Sequence, residues 1–331
     1  MPLWAKSVQT HLITGGAGFV AANLAARLHG LGDALLLVDN LSNGKLANLA
    51  GLERGPRVRF VRADCSDTDE LLAAIRSTDA AVDQVWHLAA NSDIATGAAD
   101  FRVDVRDTFL TTTGVLEAMR ALGLRTLNFA SSSAVYGDFG DRPLDEDAGP
   151  LRPISNYGAM KLASEAQIRA ACESFLDQAN IFRFPNVVGP PATHGVLLDF
   201  VRKLKATPSR LEVLGDGGQT KPYLHVDDLV DAMLFAAGAL PHGFNLLNIG
   251  PADAGVSVRE IAQMTVAAVS PSAEIVYGTS PRGWVGDVPR FSYALDRLRR
   301  LGWTRECNSR AAVGKALAEI IEQEREATCS A

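Results

Sequence analysis

The sequence predicts an α/β chain built on a doubly wound parallel sheet, with a smaller, interleaved lobe formed mostly by the C-terminal part. Three observations carry that prediction. Short apolar runs alternate with amphipathic stretches through the first half, the rhythm of strands covered by helices on both faces. A glycine turn joins the first apolar run to the first amphipathic stretch. A Pro/Gly-rich stretch, PNVVGPPATHG, then breaks the rhythm.

Taken in order, HLIT, ALLLVD, VRFVRAD, QVWHLAA, LRTLNFASS and NIFRF are short, apolar and bounded by turn residues, as buried strands are. Helices are expected to start near Gly18, Asp67, Asp100 and Asn156, where Gly, Asp or Asn precedes an apolar pattern of period 3.6. After the Pro/Gly-rich stretch come a helix over 196–205, a turn-rich GDGGQTKP, a helix over 226–239, the strand FNLLNIG and a helix over 258–269. The loop PRGWVGDVPR and two terminal helices complete the chain, whose tail, EQEREATCSA, reads as a solvated helix end. Residues 1–184 are assigned to the first domain, with 225–250 returning to it, and residues 185–331 mainly to the second lobe. No internal repeat or low-complexity linker separates them.

The chain has 331 residues, 47% of them hydrophobic, enough for a sizeable core. A net charge of −6 with 21% charged residues offers no basic field for nucleic acid or an anionic membrane, so neither is expected as a partner. Cys65, Cys172, Cys307 and Cys329 lack the spacing of a zinc site or a disulfide framework, and no metal is expected. With cysteines that fit reduced thiols, no leader-like pattern in MPLWAKSVQT and no apolar run of roughly 18 residues, a cytoplasmic location is expected. His87, in a strand, reads as a buried structural residue, and His194 and His225 have no ligand partners at useful spacing.

HLITGGAGFVAANLAARL is a strand, a glycine turn and a helix in the order of a Rossmann-like dinucleotide site. Gly15 and Gly18 let the backbone approach a pyrophosphate, whose charge then faces the helix N-terminus. Ala21 stands at the third glycine position and still permits close packing. Asp39, at the end of the next strand, can accept hydrogen bonds from ribose hydroxyls and would repel a 2′-phosphate, so the expected cofactor is NAD. Asp64 reads equally as a helix N-cap or an adenine contact.

Tyr157 and Lys161 stand four apart in SNYGAMKLASEAQ, which puts both on one helix face. A neighbouring ammonium favours the phenolate, so Tyr157 is a candidate base for a hydroxyl proton. The serine run in FASSSAVYG follows a strand at the end where open α/β sheets place their ligands.

In order along the chain, TGGAGFV, VDNLSNG, HLAA, SSSAVYG, YGAMK and FRFPNVVGP resemble the extended short-chain dehydrogenases/reductases, within them the NAD-dependent epimerase/dehydratase family and its UDP-glucose 4-epimerases. The resemblance implies a catalytic triad of Ser132, Tyr157 and Lys161, with Ser131 and Ser133 the neighbouring alternatives. It implies cofactor contacts from Gly15, Ala17, Gly18, Phe19, Val20, Asp39, Asn40, Asn43, Gly44, Asp64, Cys65, Leu88, Ala89, Ala90, Tyr157, Lys161 and Pro185. Substrate contacts are implied for Ser132, Ser133, Asn186, Gly195, Val196, Lys221, Tyr223, Arg282, Trp284, Asp287 and Phe291. Asn186 also reads as a turn former and Trp284 as an interdomain plug. Trp284 fills the family arginine position, and Arg282 precedes it in the same loop.

The activity implied is C4 epimerisation of a nucleotide diphosphate sugar by oxidation to a 4-keto sugar, rotation and re-reduction. Related 4,6-dehydratases carry Asp–Glu where this chain has Ser133 and Ala134, and decarboxylating relatives place a glutamate at the Ala134 position. Those two activities are the alternatives, and a non-catalytic NAD-binding sensor is a third. Phe291 occupies the position that limits sugar size in the family. The segments 100–122 and 156–175 resemble helices that pair across a twofold axis, which implies a homodimer held by a four-helix bundle. Thr108 stands where the family usually has asparagine.

Overall fold

The structure is a computed structural model that describes residues 8–52, 56–140, 142–280 and 291–329. All seven runs read as strands fall into one sheet. They are β1 (Thr10–Thr14), β2 (Ala34–Asp39), β3 (Val58–Arg62), β4 (Gln84–His87), β5 (Thr126–Ala130) and β6 (Gln178–Arg183). The short strands β7 (Asn186–Val188), β8 (Arg210–Val213), β9 (Thr220–Lys221) and β10 (Tyr223–His225) precede the seventh member, β11 (Gly243–Asn248). The sheet order is β11-β6-β5-β4-β1-β2-β3, and the pairs from β3 through β5 are parallel. The order turns back beside β1, which creates a crevice at the carboxyl ends of β1 and β4. Central strands are buried nearly throughout, whereas edge strand β3 exposes Arg59 and Arg62, charges that discourage further pairing.

The chain divides into two compact units, Met1–Ala130 with Met160–Ile181 and Leu240–Asn245, and Ser131–Ala159 with Phe182–Ala239 and Leu246–Ala331. In the first unit, helix Phe19–Gly30 follows β1, and helix Thr68–Arg76 starts on Asp67, whose carboxylate accepts from the Asp69 and Glu70 N–H groups. The helix expected from Asp100 does start there, but it is not regular. Phe101–Asp104 leads into a π-helical turn, Val105–Leu110, before Thr111–Leu122. Thr108 is the centre of the irregularity: its hydroxyl oxygen accepts from the Asn91 N–H at 3.2 Å, while Thr111 and Thr112 donate to its carbonyl. Such side-chain competition for backbone groups loosens a helix into a wider turn.

A row of amides crosses the same unit. Asn245 donates to Asn180, Asn180 to Asn128, Asn128 to Gln84 and Gln84 to Gln9, at 3.0, 2.9, 2.9 and 3.1 Å. Every link runs in the same direction.

In the second unit, β7 pairs with β10, β8 with β13 (Glu274–Tyr277), and β9 with β12 (Val256–Ser257). Helices Val196–Ala206, Val258–Val269 and Ser309–Cys329 enclose a core that includes Leu197, Val201, Ile261, Val313 and Leu317. Helix Val258–Val269 begins with a reciprocal Ser257–Glu260 capping box. Among the described residues no helix is long and apolar enough to cross a membrane.

Candidate active site

The first unit carries the glycine turn. Gly15 has φ +66°, and a Cβ there would lie 2.8 Å from the Cα and N of Ala89, so both the conformation and the approach of the Leu88–Ala90 segment require glycine. Gly18, the N-cap of helix Phe19–Gly30, donates its N–H to the Gly15 carbonyl at 2.8 Å. That helix start has no side-chain cap and no acid in its first turn. Its positive end is therefore left for an external anion, and these residues fit a dinucleotide diphosphate. Phe19 and Val20 are half-buried in the first turn.

Asp39 ends β2, buried, and accepts from the N–H groups of Ala17 (3.0 Å) and Leu41 (2.7 Å). Burial pushes its carboxyl up, against the pull of those two N–H groups. A Cβ at Gly44 would come 2.6 Å from its Oδ2, so the Asn40–Gly44 loop closes over this carboxylate only with glycine at that place. Asn43 is exposed. Asp64 accepts from Asn40 Nδ2 (3.2 Å) and from both the N–H and hydroxyl of Ser66 (2.8 and 2.7 Å). Burial raises it, but those donors and the Arg106 charge outweigh burial and hold it below the ordinary carboxylate range. The N-cap reading of Asp64 is corrected, because the cap of the following helix is Asp67. Cys65 is buried, and its carbonyl sits where Gly114 leaves no side chain.

Lys161 also belongs to this unit. It is 2% exposed, donates to the Ala130 carbonyl at the end of β5 (2.6 Å) and lies 4.6 Å from the Phe129 ring centre. Burial lowers its pKa to about 7, although Glu165 and Asp104, both buried, pull it back up. His87 bonds Thr14 Oγ1 (2.7 Å) through one ring nitrogen and Thr112 Oγ1 (3.1 Å) through the other. Burial, then the Lys161 charge, lowers it to about 3, so it is a neutral strut between β1 and the 111–122 helix.

The second unit carries the hydroxyls. Ser132 follows β5 by two residues, in extended conformation, and its Oγ accepts from the Ala134 N–H (3.1 Å) as the cap of a 3₁₀ turn, Ser133–Val135. Ser131 is buried and donates its N–H to Phe182, while the Ser133 N–H bonds the Phe184 carbonyl at 3.1 Å. Helix Asn156–Cys172 begins directly on this turn: a Cβ at Gly158 would collide with the Ala134 carbonyl oxygen. Tyr157, half-buried, is the residue before this contact, and Lys161 follows one turn along the helix.

Pro185 is buried before β7, and Asn186, its first residue, is exposed and pairs in register with Tyr223. Gly195, with φ +103°, caps the helix that Val196 begins. Lys221 is half-buried in β9, and Tyr223 packs in the apolar core with its N–H on Ser309 Oγ (3.1 Å). Phe291 is half-buried. Arg282, Trp284 and Asp287 lie outside the described residues.

Sequence reading missed three features. His225 was expected to lack metal-ligand partners at useful spacing, yet the fold brings Glu319 within 2.8 Å of its Nε2 and gathers Asp227 beside it, so that one ligand atom from each of the three lies within 4.8 Å of the others, with Lys315 pairing to Asp227. No local spacing could reveal a partner 94 residues away. Glu165 was visible in principle, four residues after Lys161 on the same face. Tyr293, which packs against Gly250 and Phe291, carried no signal.

The sequence model of the NAD dependent epimerase/dehydratase family matches residues 11–250. The UDP-glucose 4-epimerase of Mycolicibacterium smegmatis is 31% identical over 320 residues, covering 94% of this chain and 97% of that protein. A crystal structure of a UDP-galactose 4-epimerase superposes with a TM-score of 0.81 at 33% identity, covering 95% of this chain and 99% of that one. The UDP-glucose 4-epimerase of Thermus thermophilus, solved with NAD, superposes with a TM-score of 0.81 at 27% identity, over 94% and 99% of the two chains. With the uncapped glycine turn, the buried acid closing β2 and the Ser–Tyr–Lys pattern in place, these matches show that the chain belongs to the NAD dependent epimerase/dehydratase family.

Proposed function

We propose that the protein is an NAD-dependent nucleotide-sugar 4-epimerase acting on a UDP-sugar of the glucose/galactose or glucuronate type. The observation that carries this reading is the start of helix Asn156–Cys172, where a Cβ at Gly158 would meet the Ala134 carbonyl, so that the residue next to Tyr157 packs on the turn capped by Ser132. Nothing at Ser133 or Ala134 supplies the extra acid that elimination or decarboxylation requires. The relatives named above, UDP-glucose and UDP-galactose 4-epimerases, support the substrate class.

The turn from Gly15 through Ala17, Gly18, Phe19 and Val20 would hold the cofactor diphosphate. Asp39, with Asn40, Asn43 and Gly44, would hold the adenosine ribose, and Asp64 and Cys65 the adenine. Leu88, Ala89, Ala90, Pro185 and Lys161 would border the nicotinamide half. Bound NAD would supply the hydride acceptor for oxidation at C4 and the hydride donor for the reverse step. Tyr157 takes the C4 hydroxyl proton and returns it to that same oxygen in the reverse step, when the ketone presents its opposite face for hydride return, Ser132 hydrogen-bonds the reacting oxygen, and Lys161 lowers the phenol pKa. The 4-keto sugar turns over between the two steps. Asn186, Gly195, Val196, Lys221 and Tyr223, with Arg282, Trp284 and Asp287, would meet the sugar nucleotide.

Incubating the purified protein with UDP-, GDP-, ADP- and dTDP-sugars, without added cofactor, tests the reading. An isomer of unchanged mass supports it, whereas a 4-keto-6-deoxy product absorbing in base, or loss of CO2, would replace it with dehydration or decarboxylation. We also infer a homodimer: Phe101, 67% exposed, and the exposed Val105 and Leu110 leave an apolar face along the 101–122 segment for a second copy. Light scattering of wild type and Phe101→Glu checks it. Free Cys65, Cys172 and Cys307 support a cytoplasmic location.

A further inference from the structure

Asn48 was not among the expected site residues, yet it ties the loop that follows β2 to the glycine turn. That loop, residues 40–49, brings Gly44 against the Asp39 carboxylate and ends in a 3₁₀ turn, Leu46–Leu49. Its start is held by Asn40 Nδ2 on Asp64 (3.2 Å) and by the Leu41 N–H on Asp39 Oδ1 (2.7 Å). Its far end turns back to Ala17. The Ala17 carbonyl accepts from the Lys45 N–H at 3.1 Å and from Asn48 Nδ2 at 2.8 Å, while the Ala17 N–H donates to Asp39 Oδ2 at 3.0 Å. The Gly18 N–H shares one planar peptide with that carbonyl and is held by the Gly15 carbonyl at 2.8 Å. Loop and glycine turn therefore form one hydrogen-bonded frame around the Asp39 carboxylate, with the fully buried Ala17 as its hub.

The loop has little apolar packing to hold it. Ser42, Asn43, Lys45, Leu46 and Ala47 are exposed, and Leu41 takes a left-handed φ of +63°, which a leucine adopts only under restraint. A segment with few buried apolar contacts opens locally, at a free energy set by the hydrogen bonds that close it. Two of those bonds converge on the Ala17 carbonyl, and Asn48 supplies the one made by a side chain. We propose that residues 40–49 are a strap over the adenosine-ribose end of the NAD site, and that Asn48 is the positioning residue that keeps the strap latched and so slows release of the cofactor. The role rests on the epimerase reading, in which hydride leaves and returns within one turnover and a resident cofactor has no need to exchange.

The test is release of NAD from the holoprotein, followed as exchange against radiolabelled NAD, for wild type, Asn48→Ala and Asn48→Asp, with thermal melts of each and kcat at saturating NAD. Loss of one hydrogen bond predicts release about tenfold faster for Asn48→Ala and at least as fast for Asn48→Asp, which sets a carboxylate against the carbonyl, with kcat within about twofold of wild type. An unchanged release rate overturns the proposal, whatever happens to Tm, since a residue with only a structural role would lower Tm without speeding exchange. Should neither variant fold, hydrogen–deuterium exchange of wild type decides: the Lys45 amide must exchange more slowly with NAD bound, and equal exchange in NAD-loaded and NAD-stripped protein overturns the latch. Failure of the epimerase reading shows separately, as absent epimer formation by a wild type that still retains NAD. Release is measured without sugar, so it judges the latch in either case.

Discussion

Replacing Lys161 by methionine should abolish turnover while making the nucleotide-free protein more stable at neutral pH. The ammonium is almost fully buried, against the Phe129 ring and the Ala130 carbonyl, and its pKa falls from the ordinary 10.5 to about 7. Between those values the unfolded chain holds a proton that the folded chain has released, so stability rises with pH across that window and the penalty is complete below pH 7. At about 1.36 kcal/mol per unit, the penalty near pH 7 is on the order of 4 kcal/mol. Methionine removes the charge at similar length but leaves the Ala130 carbonyl without its donor, which returns roughly 1–3 kcal/mol. The net gain, about 1–3 kcal/mol, corresponds to a few degrees in Tm. Thermal melts from pH 6 to 10 should show Lys161→Met above wild type at pH 7, with the gap closing as pH rises and the order reversed by pH 10, where the lost Ala130 bond outweighs the remaining penalty. A lower Tm for the variant at pH 7, or a gap that ignores pH, would refute the reasoning.

Four further outcomes are expected. Tyr157→Phe should lower kcat by about a thousandfold or more with KM within a few-fold, since only the proton transfer is removed. Gly15→Ala must place a methyl 2.8 Å from the Ala89 backbone in a left-handed conformation, and co-purifying NAD, read by absorbance after denaturation, should fall to a small fraction of the wild-type content. His87 is held neutral with a pKa near 3, so the unfolded chain takes up the extra proton below about pH 6.5 and stability falls with acid; His87→Gln should flatten that limb by about 3 kcal/mol at pH 4 in denaturant titrations. Phe291 should make UDP-N-acetylglucosamine a poor substrate, and Phe291→Ala should raise its kcat/KM relative to UDP-glucose by about tenfold; efficient turnover by wild type would contradict this.

The sheet was legible because strands buried on both faces must be almost wholly apolar, and ALLLVD or QVWH admits few other readings. Helix starts were legible wherever a side chain does the capping locally, as Asp67 and Asp100 do. The π turn at Val105–Leu110 was hidden because its cause, the Asn91 N–H on Thr108, comes from another segment. For the site, Gly15, Asp39, Tyr157 and Lys161 announce themselves through short-range spacing that the geometry of turns and helices enforces. The Glu319 partner of His225 and the Gly250 backbone beneath the Tyr293 ring are brought in by packing between distant segments, so no window of sequence contains both halves of either contact.

The amide row through Gln9, Gln84, Asn128, Asn180 and Asn245 carries an evolutionary consequence. Its members all donate the same way, so exchanging Gln84, Asn128 or Asn180 for an apolar residue takes the acceptor from one neighbour and the donor from the other, whereas exchanging the whole set removes both halves of every link in the row. Single steps away from the row are penalised on both sides at its three inner positions. Across descendants of this chain the five amides should therefore be retained together or vanish together, a heritable linkage between strands that never meet in sequence.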